Sequence, residues 1–326
     1  MANAEQIKAL IKSHIEGDEE RFRTIALQMA ASAARKGQGK FAEELKSLVD
    51  SLRTRSIVHA PTRSSPIPVV QPRGELAGLL SVQYSKLRLN DVVLDKETAS
   101  RLHRVVLENH QKAKLKSFGL HQRKKLLILG PPGTGKTMTA SALAGEMNLP
   151  LFTILLDGLI TKFMGETAAK LRLIFDAMQS TTGVYLFDEF DSVAGKREAR
   201  NDVGEIRRVL NSFLQFLEQD QSDSLIIGAT NHPELLDKAV FRRFDDVIEY
   251  QLPDEERVNF LLQERLSSFD TSSVDWSSVV VEASGLSYAD IVSGINDAAK
   301  EAILSDEKSI RTEVLMSALR ARRNIR

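Results

Sequence analysis

The 326-residue sequence contains no cysteine, a single tryptophan and only 6% aromatic residues. Without cysteine there is no disulfide framework, no thiol nucleophile and no cysteine-ligated zinc or iron–sulfur site. Its 44 basic and 44 acidic side chains leave no net charge, which argues against coating nucleic acid by bulk electrostatics. No run approaches the ~18 consecutive apolar residues needed to span a bilayer. The opening Met1-Ala2-Asn3-Ala4-Glu5-Gln6 lacks a basic stretch leading into an apolar one, so no secretory signal is visible. The expectation is a cytoplasmic protein. No H-E-x-x-H occurs; His103 and His110 have the wrong spacing for a metalloprotease site. No G-x-S-x-G nucleophile elbow occurs either. What is present, 42% hydrophobic residues, is ample for a packed core.

Three textures follow one another along the chain. Residues 1–55 read as about three helices, with Ile7, Leu10, Ile11 and Ile15 at helical spacing, then Phe22, Ile25 and Met29, then Phe41, Leu45 and Leu48. Residues 56–86 carry Pro61, Pro66, Pro68 and Pro72 among Thr, Arg and Ser, a composition that suits an extended linker. From 87 to 252 short apolar runs alternate with helical patterns. Leu126–Leu129, Leu151–Leu155, Val184–Phe187, Leu225–Ile227 and Val247–Ile248 read as buried strands. Such alternation predicts an α/β fold with a parallel sheet sandwiched between helices. Residues 253–326 read as a small helical lid, with Ser287 and Asp290 at N-cap spacing.

The sharpest local signal is Gly130-Pro131-Pro132-Gly133-Thr134-Gly135-Lys136-Thr137, a G-x-x-x-x-G-K-[ST] loop between a strand and a helix. Glycines let backbone N–H groups converge on phosphate oxygens, and the helix N-terminus adds the positive end of its dipole. Residues Pro131 to Met138 are thus expected to line a nucleotide, with Lys136 reaching the β and γ phosphates of ATP and the Thr137 hydroxyl ligating Mg²⁺. The strand Val184–Phe187 ends in Asp188-Glu189. Asp188 suits the Mg²⁺ shell and Glu189 the base that polarises an attacking water. A third strand ends in Thr230-Asn231. Asn231 is either a hydrogen-bond donor to the γ-phosphate or lytic water, or an ordinary turn residue.

Together, Gly130–Thr137, Asp188-Glu189 and the stretch from Ala229-Thr230-Asn231 through Arg242-Arg243-Phe244-Asp245 resemble the AAA ATPase family, an oligomeric branch of the P-loop NTPases. The resemblance covers about residues 89 to 305. It implies a hexameric ring of identical chains with active sites between subunits, and casts Arg242 and Arg243 as arginine fingers acting on a neighbour's nucleotide. The alternative for these two is an ordinary ion pair with Asp245 or Asp246. Thr161-Lys162-Phe163-Met164-Gly165-Glu166 is similar to the substrate-threading loop of the katanin and ESCRT-disassembly type. On that likeness Lys162, Phe163, Met164 and Gly165 grip unfolded peptide; otherwise Phe163 and Met164 simply pack under the following helix. Lys196–Asp202 is either a second channel loop or a solvated one. Gly285–Ile291 is similar to a signature that opens a helix of the family's lid, whereas Asp91-Val92-Val93-Leu94 lacks the glycines relatives often carry near the adenine.

The expectation is an ATPase that remodels or unfolds protein substrates. Residues 1–55 would recognise an adaptor, a substrate or a separate protease, or would serve oligomerisation. The rival is a nucleic-acid motor or clamp-loader-like ATPase, supported by Lys112, Lys114, Lys116, Arg123, Lys124, Lys125 and the tail Arg320-Ala321-Arg322-Arg323, but no aromatic stacking platform accompanies those charges. A third reading is a nucleotide-gated assembly switch.

Overall fold

The runs Leu126–Leu129 and Val184–Phe187 offer no polar side chain to water, and both lie inside a six-stranded sheet covered on both faces. The computed structural model describes residues 71–159, 164–190, 203–305 and 309–323. The helical patterns expected within 1–55 lie outside the described residues, as do residues 56–70 of the proline-bearing stretch that follows. In chain order come β1 (Leu80–Gln83), α1 (Lys96–His110), α2 (Lys112–Ser117), β2 (Lys125–Leu129), α3 (Lys136–Met147) and β3 (Leu151–Ile154). Next are α4 (Leu156–Leu159), α5 (Met164–Ser180), β4 (Val184–Phe187), α6 (Val203–Gln219), β5 (Leu225–Thr230), α7 (Lys238–Phe241) and β6 (Asp246–Glu249). Four further helices close the chain: α8 (Glu255–Arg265), α9 (Trp276–Ala283), α10 (Tyr288–Leu304) and α11 (Thr312–Arg323).

The strand order is β1-β3-β4-β5-β2-β6. All neighbours are parallel except the edge pair, in which Leu80 to Gln83 run antiparallel against Ile154 to Leu151. The fold is the α/β sandwich expected from the alternation of runs. One boundary differs: the stretch 56–86, expected to be linker, supplies strand β1. Its four residues are too short for a pattern, and pairing with β3 rather than local propensity makes them a strand.

The two-residue period of a strand sends alternate side chains to opposite faces. Leu127, Phe152, Tyr185, Phe187 and Ile226 join Leu171, Phe175 and Phe213 of α5 and α6 in one core. Leu126, Ile128, Leu186, Leu225 and Ile227 join α1 and α3 in the other. Helix α3 is buried nearly all round through small residues, Ala140, Ala142, Ala144 and Gly145. The close approach explains them: a Cβ on Gly145 would lie 2.0 Å from the Leu87 carbonyl oxygen. The last four helices enclose a separate core built on Leu262, Val279, Ile291, Ala298, Leu315 and Leu319. Ser287 caps α10, accepting from the Asp290 N–H while the Asp290 carboxylate accepts from the Ser287 N–H.

Candidate active site

The phosphate loop leaves the C-terminal end of β2, between β5 and β6. Gly130 sits at φ 142°, and a Cβ there would lie 2.4 Å from the Tyr250 carbonyl oxygen. Only glycine lets the loop begin so close to the chain beyond β6. Gly133 and Gly135 are also left-handed, at φ 75° and 95°. No side chain caps the start of α3, so its first-turn N–H groups point out of the helix end as an anion cradle. Thr134 is buried and its hydroxyl donates to the Pro131 carbonyl at 2.8 Å, bracing the loop from within. The buried Lys136 ammonium donates to the Gly130 and Pro131 carbonyls, both at 2.8 Å. Pro131, Pro132, Gly133 and Thr137 remain exposed, and Met138 packs against the core beneath.

Strand register brings the other chemistry to this end. Phe187 lies opposite Gly228 and Leu129 opposite Thr230, so Asp188 and Asn231 each follow one residue past a paired position. The Thr137 hydroxyl donates to Asp188 Oδ2 at 2.6 Å. This joins two hard oxygen ligands, the donor set that suits Mg²⁺. The next residue, Glu189, is exposed and left-handed at φ 49°. Its N–H donates to Asp188 Oδ1 at 3.0 Å, and the Phe190 N–H donates to the Ala229 carbonyl at 2.8 Å. Phe190 is fully buried, 4.9 Å from the Phe213 ring and edge-on to Phe244 at 6.2 Å. Anchors on both sides thus hold Glu189 in a sparsely populated conformation, as strained residues at functional sites are held. Asn231 is half-buried, between Thr230 and a His232 N–H that donates to the Thr230 hydroxyl at 2.9 Å.

Arg242 and Arg243 stand elsewhere. They follow α7 and precede β6, whose first residue, Asp246, pairs with Leu126 near the beginning of β2. At ~3.3 Å per residue the length of β2 separates them from the phosphate loop by roughly 15 Å along the strand. Both are exposed. Arg243 pairs with Glu218 of α6 at 2.6 Å, not with Asp245 or Asp246. Asp245 instead accepts the backbone N–H groups of Lys124 and Lys125, and Asp246 pairs with Arg101 and Arg123. Lys162 and Phe163 of the expected gripping loop lie outside the described residues, as does Lys196–Asp202. Met164 and Gly165 open helix α5.

Two parts of the site escaped sequence reasoning. The cap of α10 rests on the phosphate loop: the Ala289 N–H donates to the Gly133 carbonyl at 3.1 Å, and a Cβ on Gly133 would lie 2.4 Å from Ser287 Oγ. Ser287 and Asp290 were legible as a cap, but only the folded chain shows what they cap against. The second is Tyr250, whose hydroxyl shares a 2.7 Å hydrogen bond with Thr139 of α3; burial holds its pKa well above the usual phenol range. Nearby, a Cβ on Gly135 would lie 3.9 Å from Val92 Cγ1, while Val93 packs on the helical lid. A cleft of about 630 Å³ opens between this segment and Asp254, which caps α8, with Arg257 and Phe260 of that helix.

Residues 126–252 match the model of the ATPase family associated with various cellular activities (AAA). The "Uncharacterized AAA family ATPase y4kL" of Sinorhizobium fredii is 32% identical over 326 residues, covering 98% of this chain and 95% of that protein. The chain belongs to the AAA ATPase family. Other relatives match only in part. The "ATP-dependent zinc metalloprotease FtsH" of Lancefieldella parvula is 34% identical over 72% of this chain and 37% of its own length. The "Putative 26S proteasome regulatory subunit homolog" of Methanothermobacter thermautotrophicus is 33% identical over 61% and 55%. This AAA ATPase thus spans between about a third and half of these two. In fold it is similar to the crystal structure of the FIGL-1 AAA domain, with TM-score 0.62 and 23% identity over 79% of this chain and 92% of that one. No helix among the described residues is long and apolar enough to cross a membrane.

Proposed function

We propose that this chain hydrolyses ATP in a ring of identical subunits and spends the energy on remodelling protein substrates. The observation that carries this reading is the separation of the hydrolytic groups. Lys136, Thr137, Asp188, Glu189 and Asn231 gather at the C-terminal ends of the strands, while Arg242 and Arg243 stand exposed toward the other end. Arginines there serve a neighbouring copy's nucleotide, and the site is complete only between two chains.

In each site the loop N–H groups and Lys136 hold the β and γ phosphates. Thr137 and Asp188 would hold Mg²⁺, which supplies charge neutralisation when bound. The Glu189 carboxylate orients a water and accepts its proton as the water oxygen bonds to the γ-phosphorus and the bond to ADP breaks. Asn231 donates to a γ-phosphate oxygen. The neighbour's Arg242 and Arg243 stabilise the charge spread over those oxygens, an effect of roughly 10³–10⁵ in rate for such arginines. The finer assignment to the katanin and ESCRT-disassembly type rests on the likeness of Lys162, Phe163, Met164 and Gly165 to their threading loop. Relatives named as a protease and a proteasome regulatory homologue also favour protein substrates over nucleic acid.

The basic residues that favoured nucleic acid are largely engaged within the chain. Lys112 and Lys116 pair with Asp223, Arg123 with Glu108 and Asp246, and Lys124 with Asp220. Arg320 and Arg323 pair with Glu282, and Arg322 with Asp297. Paired cations release few counterions on meeting a phosphate backbone, so the rival loses its electrostatic support. The test is ATPase rate with unfolded protein, single-stranded DNA or neither, in wild type, Phe163→Ala and Glu189→Gln. Protein stimulation lost in Phe163→Ala with basal hydrolysis retained supports threading. DNA stimulation that survives Phe163→Ala sinks it, and normal hydrolysis in Glu189→Gln refutes the site.

A further inference from the structure

The residue after the two arginines, Phe244, is buried although it lies between exposed Arg243 and exposed Asp245. Its ring lies over Gly228 of β5, where a Cβ would come within 3.3 Å of it. Any side chain at 228 would push the ring away from the sheet. From that seat Phe244 meets Phe190 edge to face, with centroids 6.2 Å apart and planes at 83°. Phe190 is the residue whose N–H bond to Ala229 and packing on Phe213 hold Glu189 left-handed. On the arginine side the backbone is equally fixed: the Arg243 N–H donates to the Val240 carbonyl at 3.0 Å and the Asp245 N–H to the Lys125 carbonyl at 2.8 Å. Two rigid anchors therefore share one aromatic contact. At one end is the carboxylate read as serving the chain's own nucleotide; at the other are the exposed Arg242 and Arg243, the latter resting on Glu218 of the same chain at 2.6 Å.

We propose that the Phe190–Phe244 edge contact is a positioning link that sets Glu189 and the Arg242-Arg243 segment in one joint geometry, so that the state of a subunit's own site is felt in the site it completes next door. The inference rests on the reading of Arg242 and Arg243 as acting between copies. Packed aromatics are rarely free to shift singly, because close-packed interiors switch between discrete arrangements and do not deform smoothly. The link acts on geometry alone, since both rings are buried.

The test uses full-length chains mixed into one ring. Glu189→Gln subunits and Arg242→Ala/Arg243→Ala subunits are each inactive alone, and mixing restores sites that pair an intact Glu189 with intact arginines. If mixing restores nothing, the reading of arginines between copies fails, whatever the aromatic variants do. Where it restores turnover, Phe244→Leu is placed first on the arginine donor and then on the Glu189 donor. The link predicts that restored turnover falls about threefold or more in both placements, a double-ended effect that a one-ended role cannot give. Loss in one placement only, or in neither, overturns the proposal. Phe190→Leu must behave alike. Phe216→Leu is the control: it removes a ring that packs on Phe175 in the same core, and equal loss from it in both placements also overturns the link. Thermal melts check folding, and methionine, whose flexible thioether fills irregular gaps, replaces leucine in any variant that does not fold.

Discussion

Replacing Glu189 by asparagine and by glutamine separates two properties that one residue carries. Both amides remove the carboxylate. They differ in how they tolerate φ 49°, the left-handed conformation in which residue 189 is held. That conformation costs an ordinary L-residue roughly 1–2 kcal/mol, whereas asparagine visits it readily. Glutamine keeps the strain of the native residue; asparagine relieves part of it, about 0.5–1 kcal/mol. For a folded unit of this size that corresponds to roughly 1–4 °C in Tm. Differential scanning fluorimetry without nucleotide should therefore rank Glu189→Asn above Glu189→Gln. Steady-state phosphate release should fall by about 10²–10⁴ in both if Glu189 is the base. An asparagine variant no more stable than the glutamine one would refute the claim that anchors at Asp188 and Phe190 hold a strained turn. Hydrolysis retained in either would refute the role of the carboxylate.

Gly133→Ala places a methyl group 2.4 Å from Ser287 Oγ at a position with φ 75°; a fluorescent ATP analogue should bind about tenfold more weakly, and affinity within twofold of wild type would contradict the tight loop–lid contact. Lys124→Met leaves the Asp220 carboxylate, 0% exposed and 2.9 Å from the Lys124 ammonium, without that cation and with the neutral Gln179 amide and Ser222 N–H as donors. The loss should be about 3 kcal/mol, or a Tm lower by roughly 6–12 °C, and a fall under about 2 °C would refute it. Acid should loosen the helical lid. The Arg257 guanidinium holds Asp254 below the ordinary carboxylate range, the Ser278 hydroxyl does so for Asp275, and Arg322 for Asp297. Folded values below unfolded ones mean stability that is present above about pH 4 and lost as pH falls through the folded values. Trp276, the single tryptophan, opens helix α9 of the lid, so its fluorescence should change as pH falls below about 4 and not between pH 5 and 7; a constant signal down to pH 3 would overturn the prediction.

The strands most legible in the sequence are those buried on both faces. Leu126–Leu129 and Val184–Phe187 carry no charged residue, and their one polar group, the Tyr185 hydroxyl, is satisfied by the Thr181 carbonyl, so both runs belong in the core. Strand β1 was illegible because its four residues acquire their conformation from β3. The glycine-rich loop was legible because its motif is local: glycines, lysine and hydroxyl fall within eight consecutive positions between a strand and a helix. The partners of Arg243 were not. Asp245 and Asp246 are near in sequence, but backbone N–H groups and other arginines already occupy them, and Glu218 reaches Arg243 from a helix that precedes β5.

By itself the sequence determined the chemistry at hand: a G-x-x-x-x-G-K-[ST] loop suited to phosphate, two carboxylates that end a buried strand, and no thiol. These follow from residue type and short spacing. Only the tertiary structure decided where those groups stand relative to one another. Inserting β5 between β4 and β2 brings Asn231 and Glu189 to the phosphate loop, while starting β6 beside Leu126 keeps Arg242 and Arg243 toward the far end. Strand order and register are set by hydrogen bonds between segments distant in sequence. The same holds for the ring contact of Phe190 with Phe244 and for Ser287 resting on Gly133, contacts that exist only once separate elements have packed.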